Sequence, residues 1–485
     1  MLKPARSLPL SSALLAAALS LAGPARAGDV SVKLDSGAGF SVKDSTGVLE
    51  RLRVDEATGN VSRSGALFVH TTGTNNLFVG PGAGNTATSG YGMNTAFGDL
   101  AMSAITTGNR NLAVGYGALA SNTTGNHNSA VGYLALTSNT TAVGNSAFGS
   151  ISLQHNTTGP QNSAFGGGSL QFNTTGPFNS AFGSLALNFN TTGGVNSAFG
   201  AGSLQHNTTG SHNSAFGTSA LLANTTANNN VAVGYNALQQ NNVGAVNVAV
   251  GYDALFFNTS ASYNVAVGGN ALRNAGGGGD GNTAVGKNAL HDNTTGSRNV
   301  AVGSQAGSGL VSGSDNIYLA NTGVNSETGQ IKIGTVGTHT QTTIAGISGA
   351  TSASGVQVLV NASGVLGTTT SSARFKQNVR DMDHAGDVLM KLRPVAFEYR
   401  EDVVGAQDAK TTQYGLIAEE VAQVAPELVA PDLDGKPYSV KYHELPALLL
   451  SQVQQQQRTI DAQRAQIAEL TTRLAEVERR IAPAR

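Results

Sequence analysis

An Asn-led motif returns along this chain at a nearly constant step, and no other feature limits the fold as strongly. The Asn stands at Asn76, Asn94, Asn111, Asn128, Asn145, Asn162, Asn179, Asn196, Asn213, Asn230, Asn247, Asn264, Asn282, Asn299 and Asn316. The step is 17 residues, lengthening to 18 at Asn76–Asn94 and at Asn264–Asn282. Central units read NSAFGxxxLxxNTTGxx, and later ones replace Phe by Val, as in NVAVGYNALQQNNVGAV. A unit this short cannot bury a core alone, so successive units must stack as coils of a parallel β-roll or solenoid. Within a coil, NSAFG and NVAVG have the two-residue rhythm of a short strand. The expected inward positions are the Phe or Val and the Leu five residues later, as at Leu170, Leu187, Leu204 and Leu238. The Gly after the Phe or Val allows a positive φ or a close backbone approach. NTTG supplies turn chemistry rather than glycosylation sites. Asn residues at one place in successive coils can form a hydrogen-bonded ladder.

With only two large apolar side chains per coil, a single-chain solenoid would be marginal, and sharing the core among chains becomes attractive. The N-S-x-A-[FIV]-G units resemble the head repeats of trimeric autotransporter adhesins, although the units here are a few residues longer. That resemblance covers about half of the chain and implies a homotrimeric, left-handed parallel β-roll.

Composition narrows the function classes. Of 485 residues, 62 are Gly and 12% are charged, the net charge is −1, and there is no long basic run, so nucleic-acid binding has no electrostatic support. The absence of Cys excludes disulfides, thiol catalysis, Cys-ligated metals and a lipoprotein anchor. The His residues show no metal-ligand spacing, so neither a metal nor a cofactor is expected. Residues 1–27 read as a secretory signal peptide: Lys3 and Arg6, an apolar run from Leu8 to Ala22, then Ala25-Arg26-Ala27. No later stretch reaches about 18 uninterrupted apolar residues, so no membrane span is expected and the product should be secreted or held at the cell surface.

The chain therefore parses into a signal peptide, an N-terminal β segment at 28–75, the repeat body at 76–320, a β-rich neck at 321–370 and a distinct region at 371–485. From Ser371 charge rises while Gly and Asn fall. Helical pattern at Asp383–Leu392, strand-like VAFEYR, a strand and helix in YGLIAEEVAQVAPELV and a turn at Asp434-Gly435 predict a small α+β domain. A final helix follows, at about 445–482. Val453, Ile460, Ile467, Leu474 and Ile481 lie seven apart, and Leu449, Gln456, Gln463, Leu470 and Val477 fill the alternate positions. This is a coiled-coil seam in which the two Gln would fix register. The alternative is an amphipathic helix packed on its own domain.

Four blocks in this region, SSARFKQNVRDM, LRPVAFEYR, YGLIAEEVAQVAPELV and YHELPALLLSQVQQQQ, resemble the endosialidase-type intramolecular chaperone domain that ends phage tailspikes and related fibres. The resemblance implies a trimeric chaperone that assists β-fibre folding and then cuts itself free. Carried over by its motif, the Ser-Lys pair is Ser371 and Lys376, supported by Asn378, with cleavage at Ser371–Ser372. This chain has Ser372 where Asp is common and Ala373 where a basic residue is frequent. A neutral Lys can take the proton of a Ser hydroxyl. On a straight helix, however, five residues span about 500° and leave the two side chains roughly 140° apart. The pair therefore needs a bent segment or contact across subunits. The alternative function is a surface adhesin or glycan-binding fibre that retains the domain, its ligand being a cell surface or glycan. The repeat body has few acidic residues and no paired carboxylates, which argues against a glycan-cleaving enzyme.

Overall fold

The computed structural model describes residues 39–43, 45, 50–89, 91–347, 352, 355–382, 385–404 and 407–481. It divides between Thr335 and Val336 into two units, treated in turn. The signal-peptide reading lies outside the described residues.

The first unit is a β-solenoid. Three-residue strands from Leu77–Val79 to Ile331–Ile333 pair in parallel, each with the next, in register. Ser163, Ala164 and Phe165 thus lie beside Ser180, Ala181 and Phe182 of the following coil. Backbone bonds continue around the coil: the Leu170 amide donates to Ala186 O at 2.9 Å, and the Thr174 amide to Thr191 O at 2.9 Å. The N-terminal end is closed by an antiparallel meander, Phe40–Lys43, Glu50–Val54, Val61–Arg63 and Ala66–His70, whose last strand pairs with Leu77–Val79. The first stacked strand is therefore not left as an open edge.

Leu faces inward as expected: Leu170, Leu187, Leu204 and Leu238 are fully buried. The expectation for Phe and Val is corrected. The middle Ala of each strand faces inward, as at Ala164 and Ala181, while the third residue points out; Phe199 is 37% and Phe216 42% exposed. Successive side chains on a strand alternate faces, and the interior of so narrow a coil has room at this point only for a methyl group. The outward phenyl rings stack along the fibre, Phe148, Phe165, Phe182, Phe199 and Phe216 having successive centroid distances of 4.8, 4.7, 4.7 and 5.0 Å.

The remaining interior is polar and satisfied by repetition. Each motif-opening Asn accepts, through Oδ1, the backbone N–H of its equivalent in the next coil, as Asn162 does from Asn179 at 2.9 Å. A second ladder runs through the Asn of NTTG. Asn173 Nδ2 donates to Asn156 Oδ1 at 2.8 Å and to Gly176 O at 3.0 Å. These Asn are buried, so the repeated sequons form turns with internal amides. The lengthened coil interrupts this ladder. Ala275 stands where Asn would recur, and Asn258 Oδ1 is left buried without a partner.

Tight closure sets the backbone. Gly183 has φ 140°, and a Cβ there would lie 2.5 Å from Gly200 O, so both reasons for Gly at this place apply. Leu187 itself has φ 51°. A left-handed residue costs about 1–2 kcal/mol, whereas burying a Leu contributes about 1.5–3 kcal/mol; burial offsets the strain. Distinct residues finish the two ends. At one, buried His70 bonds Thr72 Oγ1 (2.6 Å) and Ala83 O (2.7 Å) and packs on Phe78. At the other, buried Tyr318 replaces the inward Ala and donates to Glu327 Oε1 at 2.8 Å, while Lys332 Nζ donates to Glu327 Oε2 at 2.5 Å. Burial pushes the Glu327 carboxyl up, but the bonds from Lys332, Tyr318 and the Val324 amide outweigh it and hold the group below its ordinary range.

The second unit begins with a hairpin, Val358–Val360 with Leu366–Thr368. It continues through the helix Ala385–Leu389, paired strands Val395–Phe397 and Gln413–Gly415, the helix Ala418–Val424, a hairpin of Val429–Pro431 with Pro437–Val440, and the helix Leu445–Ile481. Pro426 ends the helix before it and opens a 3-10 turn, and Gly435 takes the left-handed turn position at φ 81°. Val421, Ala425, Leu428, Val429 and Val440 form a small core, joined by Leu445 and Leu448 from the start of the terminal helix.

Candidate functional site

The segment holding Ser371 is bent, not a straight helix. Ser372 is extended (φ −63°, ψ 137°), Ala373–Phe375 make one 3-10 turn, and Lys376 is extended again (φ −116°, ψ 144°). The turn folds the chain back so that Lys376 Nζ donates to Ser371 Oγ at 3.4 Å. That is a long bond, with the geometry of a pair in contact rather than tightly coupled. Two residues later Asn378 takes a left-handed conformation at φ 56°, one that Asn tolerates better than most side chains. No hydrogen bond joins Asn378 to the pair among the described residues. Arg374 lies over the Phe375 ring at 4.7 Å.

Ser371, Ser372, Lys376 and Asn378 are all exposed in the single chain. A lysine becomes a base near neutral pH where burial strips water from its charged form. The two side chains are thus in contact, while their surroundings are open solvent.

Two contacts that sequence reasoning did not single out hold this region to the terminal helix. Ser451 Oγ donates to Met382 O at 3.1 Å. Gly386 lets the short helix lie close, since a Cβ there would fall 1.8 Å from Gln452 Oε1. Elsewhere Arg393 makes a two-pronged ion pair with Glu420, and the hydrogen bond from Arg393 lowers the Glu420 carboxyl. The Tyr442 hydroxyl accepts the Leu416 amide at 2.8 Å. Gly in a predicted helix and Tyr beside a strand are the only sequence signals for these contacts, and both are weak.

Past its first turns the terminal helix packs on little. None of its residues is buried, and Val453, Ile460, Ile467, Leu470, Leu474, Val477 and Ile481 are all exposed. Beside its early turns an open cleft of about 680 Å³ is lined by Met390, Gln452, Gln456 and Ile460, among others. Gln452 Oε1 is buried and without a partner. The described residues contain no helix long and apolar enough to cross a membrane.

No curated protein and no solved structure matches the chain significantly. Residues 371–430, beginning at the serine of the pair, match the family model described as chaperone of endosialidase.

Proposed function

We propose that this chain is the subunit of an exported trimeric fibre, whose C-terminal region guides assembly and then releases itself by Ser-Lys autoproteolysis at Ser371. The observation that carries the reading is the 3.4 Å pairing of Ser371 with Lys376 at the first residue of the chaperone-family match. The exposed heptad seam supports the trimeric part. Ile at several seam positions permits three strands, and Gln456 and Gln463 favour one alignment. Three chains would also cover the open surroundings of the pair.

In the proposed reaction Lys376 takes the proton of the Ser371 hydroxyl, and the oxygen attacks the carbonyl of the Ser371–Ser372 bond. Attack on its own carbonyl would close a strained four-membered ring, so the serine of a neighbouring chain is the better placed nucleophile. The proton passes to the departing Ser372 amine, and water then hydrolyses the ester. The product would be roughly residues 28–371.

Intact-mass measurement of the full precursor tests this. Wild type should split at Ser371–Ser372. Ser371→Ala should stay whole yet assemble, and Lys376→Arg should also stay whole because a guanidinium does not act as a base. A Ser371→Ala chain still cut at this bond would remove the proposed nucleophile. A wild-type chain that stays whole in assembled particles would favour the second reading, an adhesin or glycan-binding fibre that keeps its chaperone region.

A further inference from the structure

The solenoid strands have their sizes inverted relative to an ordinary half-buried strand. The smallest residue, Ala, faces the interior, and both neighbours on the outward face are larger. From Val231–Val233 onward the outward pair is Val and Val, then Thr283 and Val285, Val300 and Val302, and Ile317 and Leu319. The coils from Ser129–Val131 to Ser214–Phe216 place Ser beside Phe or Val, and the three before them place Leu77, Thr95 or Leu112 there. None of the outward residues in the strands from Leu77–Val79 to Ile333 is charged. The charged residues of the coils, such as Asp99, Arg110, Asp253, Lys287 and Arg298, lie outside these strands, except Lys332 at the middle position of the last one.

We infer that this outward strand face is the surface by which the bodies of neighbouring copies of this chain pack together along their length. It rests on the assembly proposed above and assigns that assembly a place on the body. Two arguments select a second copy as the occupant. The first is area. At ~4.8 Å per strand the face runs for roughly 70 Å, and with its flanking atoms it is about 10 Å wide, which gives on the order of 700 Å². With Ser or Thr at one of the two outward positions in eight coils the strip is not wholly apolar, but its area approaches the ~800 Å² per partner of a stable interface. The second is periodicity. The face sets a large apolar third residue, Phe, Val, Leu or Ile, at the same place of every coil, with stacked rings about 4.7–5.0 Å apart from Phe148 to Phe216. Only a surface with the same repeat can meet it equally well at every coil, and the chain itself carries one.

A second exposed stripe provides the internal comparison. His155, Phe172, Phe189 and His206 also line up along the body, but on the segment before NTTG, and the stripe does not extend over all coils. The inference leaves it open to solvent.

Because the chain has no cysteine, single-cysteine variants report each surface cleanly. Phe182→Cys and Val250→Cys probe the strand face; Phe172→Cys, half-buried in the chain like those two, and the exposed Tyr235→Cys probe other positions of the coil. Thiol alkylation is measured on the assembled full chain alongside particle mass. In a three-chain particle, cysteines at 182 and 250 should react at least ~10-fold more slowly than those at 172 and 235, since access governs thiol reactivity. Equal rates in such a particle, or protection of 172 instead, would overturn the placement while leaving the trimer intact. A folded single-chain particle would overturn the assembly and the placement together. Val250→Cys changes little volume, so it serves where the Phe182 variant fails to fold.

Discussion

Removing one rung of the inner asparagine ladder should cost more than removing most core methyl groups. In Asn173→Ala three hydrogen bonds disappear: Nδ2 to Asn156 Oδ1 at 2.8 Å, Nδ2 to Gly176 O at 3.0 Å, and Asn190 Nδ2 to Asn173 Oδ1 at 2.7 Å. Two of the former partners keep another bond. Gly176 O still accepts from Asn162 Nδ2 at 2.9 Å, and Asn190 Nδ2 still donates to Gly193 O at 2.9 Å. Each of these losses is worth about 1 kcal/mol net. Asn156 Oδ1 has no second donor and becomes a buried orphan, which costs about 1–3 kcal/mol. The sum is roughly 3–5 kcal/mol. Guanidinium unfolding of the full chain, at one fixed protein concentration because the proposed particle contains several chains, should show a lower midpoint with an unchanged slope. Thr175→Ala, at an exposed position of the same turn, is the control and should leave the midpoint in place. A loss below about 1 kcal/mol would refute the reasoning, because the ladder would then merely replace bonds to water.

Two further outcomes follow from features at the ends and at the interruption. Ala275→Asn should rejoin the ladder at the orphaned Asn258 Oδ1 and stabilise the body by about 1 kcal/mol in the same unfolding assay; destabilisation would mean that the turn at Gly276–Gly279 leaves no room. The Glu327 carboxyl is held below its ordinary value in the fold, so its contribution is present above the unfolded carboxylate range and is lost as pH falls through the folded value. Thermal scans should therefore separate wild type from Glu327→Gln near neutral pH and bring them together in acid, whereas a constant difference at all pH values would argue against the charged Lys332 partnership.

The repeat, its strand, the inward Leu and the constrained Gly were legible because each is a local consequence of residue type at fixed spacing. Which face of the strand turned inward was not. A three-residue apolar strand such as Val231–Val233 has no polar alternation to mark its outer side, and residue size alone points the large side chains inward. The usable signal lay in the drift between coils. The middle position stays Ala from Ala96 to Ala301, while the third changes from Phe to Val. A site that admits only a methyl is enclosed, and a site that admits either size is not. The larger Phe78 and Tyr318 stand near the ends, Phe78 in the first stacked strand and Tyr318 in the last but one, beside Lys332 rather than another Ala. In the C-terminal region, Ser371 and Lys376 could be named by resemblance. Their contact could not be derived from spacing, because a single 3-10 turn between extended residues is set by conformations that the sequence does not advertise.

The regularity that stabilises the body leaves its alignment with a neighbour underdetermined. On the assembly proposed here, a copy displaced by one coil would still set Val against Val, because Val231–Val233, Val248–Val250 and Val265–Val267 are the same three residues. The displacement loses only the contacts of one terminal coil, a small fraction of the face. Repetitive strands specify contact well and register poorly. The terminal helix has the opposite property. Its alternate seam positions run Leu449, Gln456, Gln463, Leu470 and Val477, so a parallel slip by one heptad sets Gln456 against Leu449 and Gln463 against Leu470. Each such mismatch leaves buried amide groups without partners, at about 1–3 kcal/mol apiece. A short non-repetitive helix can thus select an alignment that a long repetitive body would only maintain. In the proposed assembly, once the coils have closed on one another, contacts within and between chains would hold that alignment by themselves. On that proposal the region would be needed during assembly and dispensable afterwards, which is the physical condition under which cutting it away at Ser371 would cost the fibre nothing.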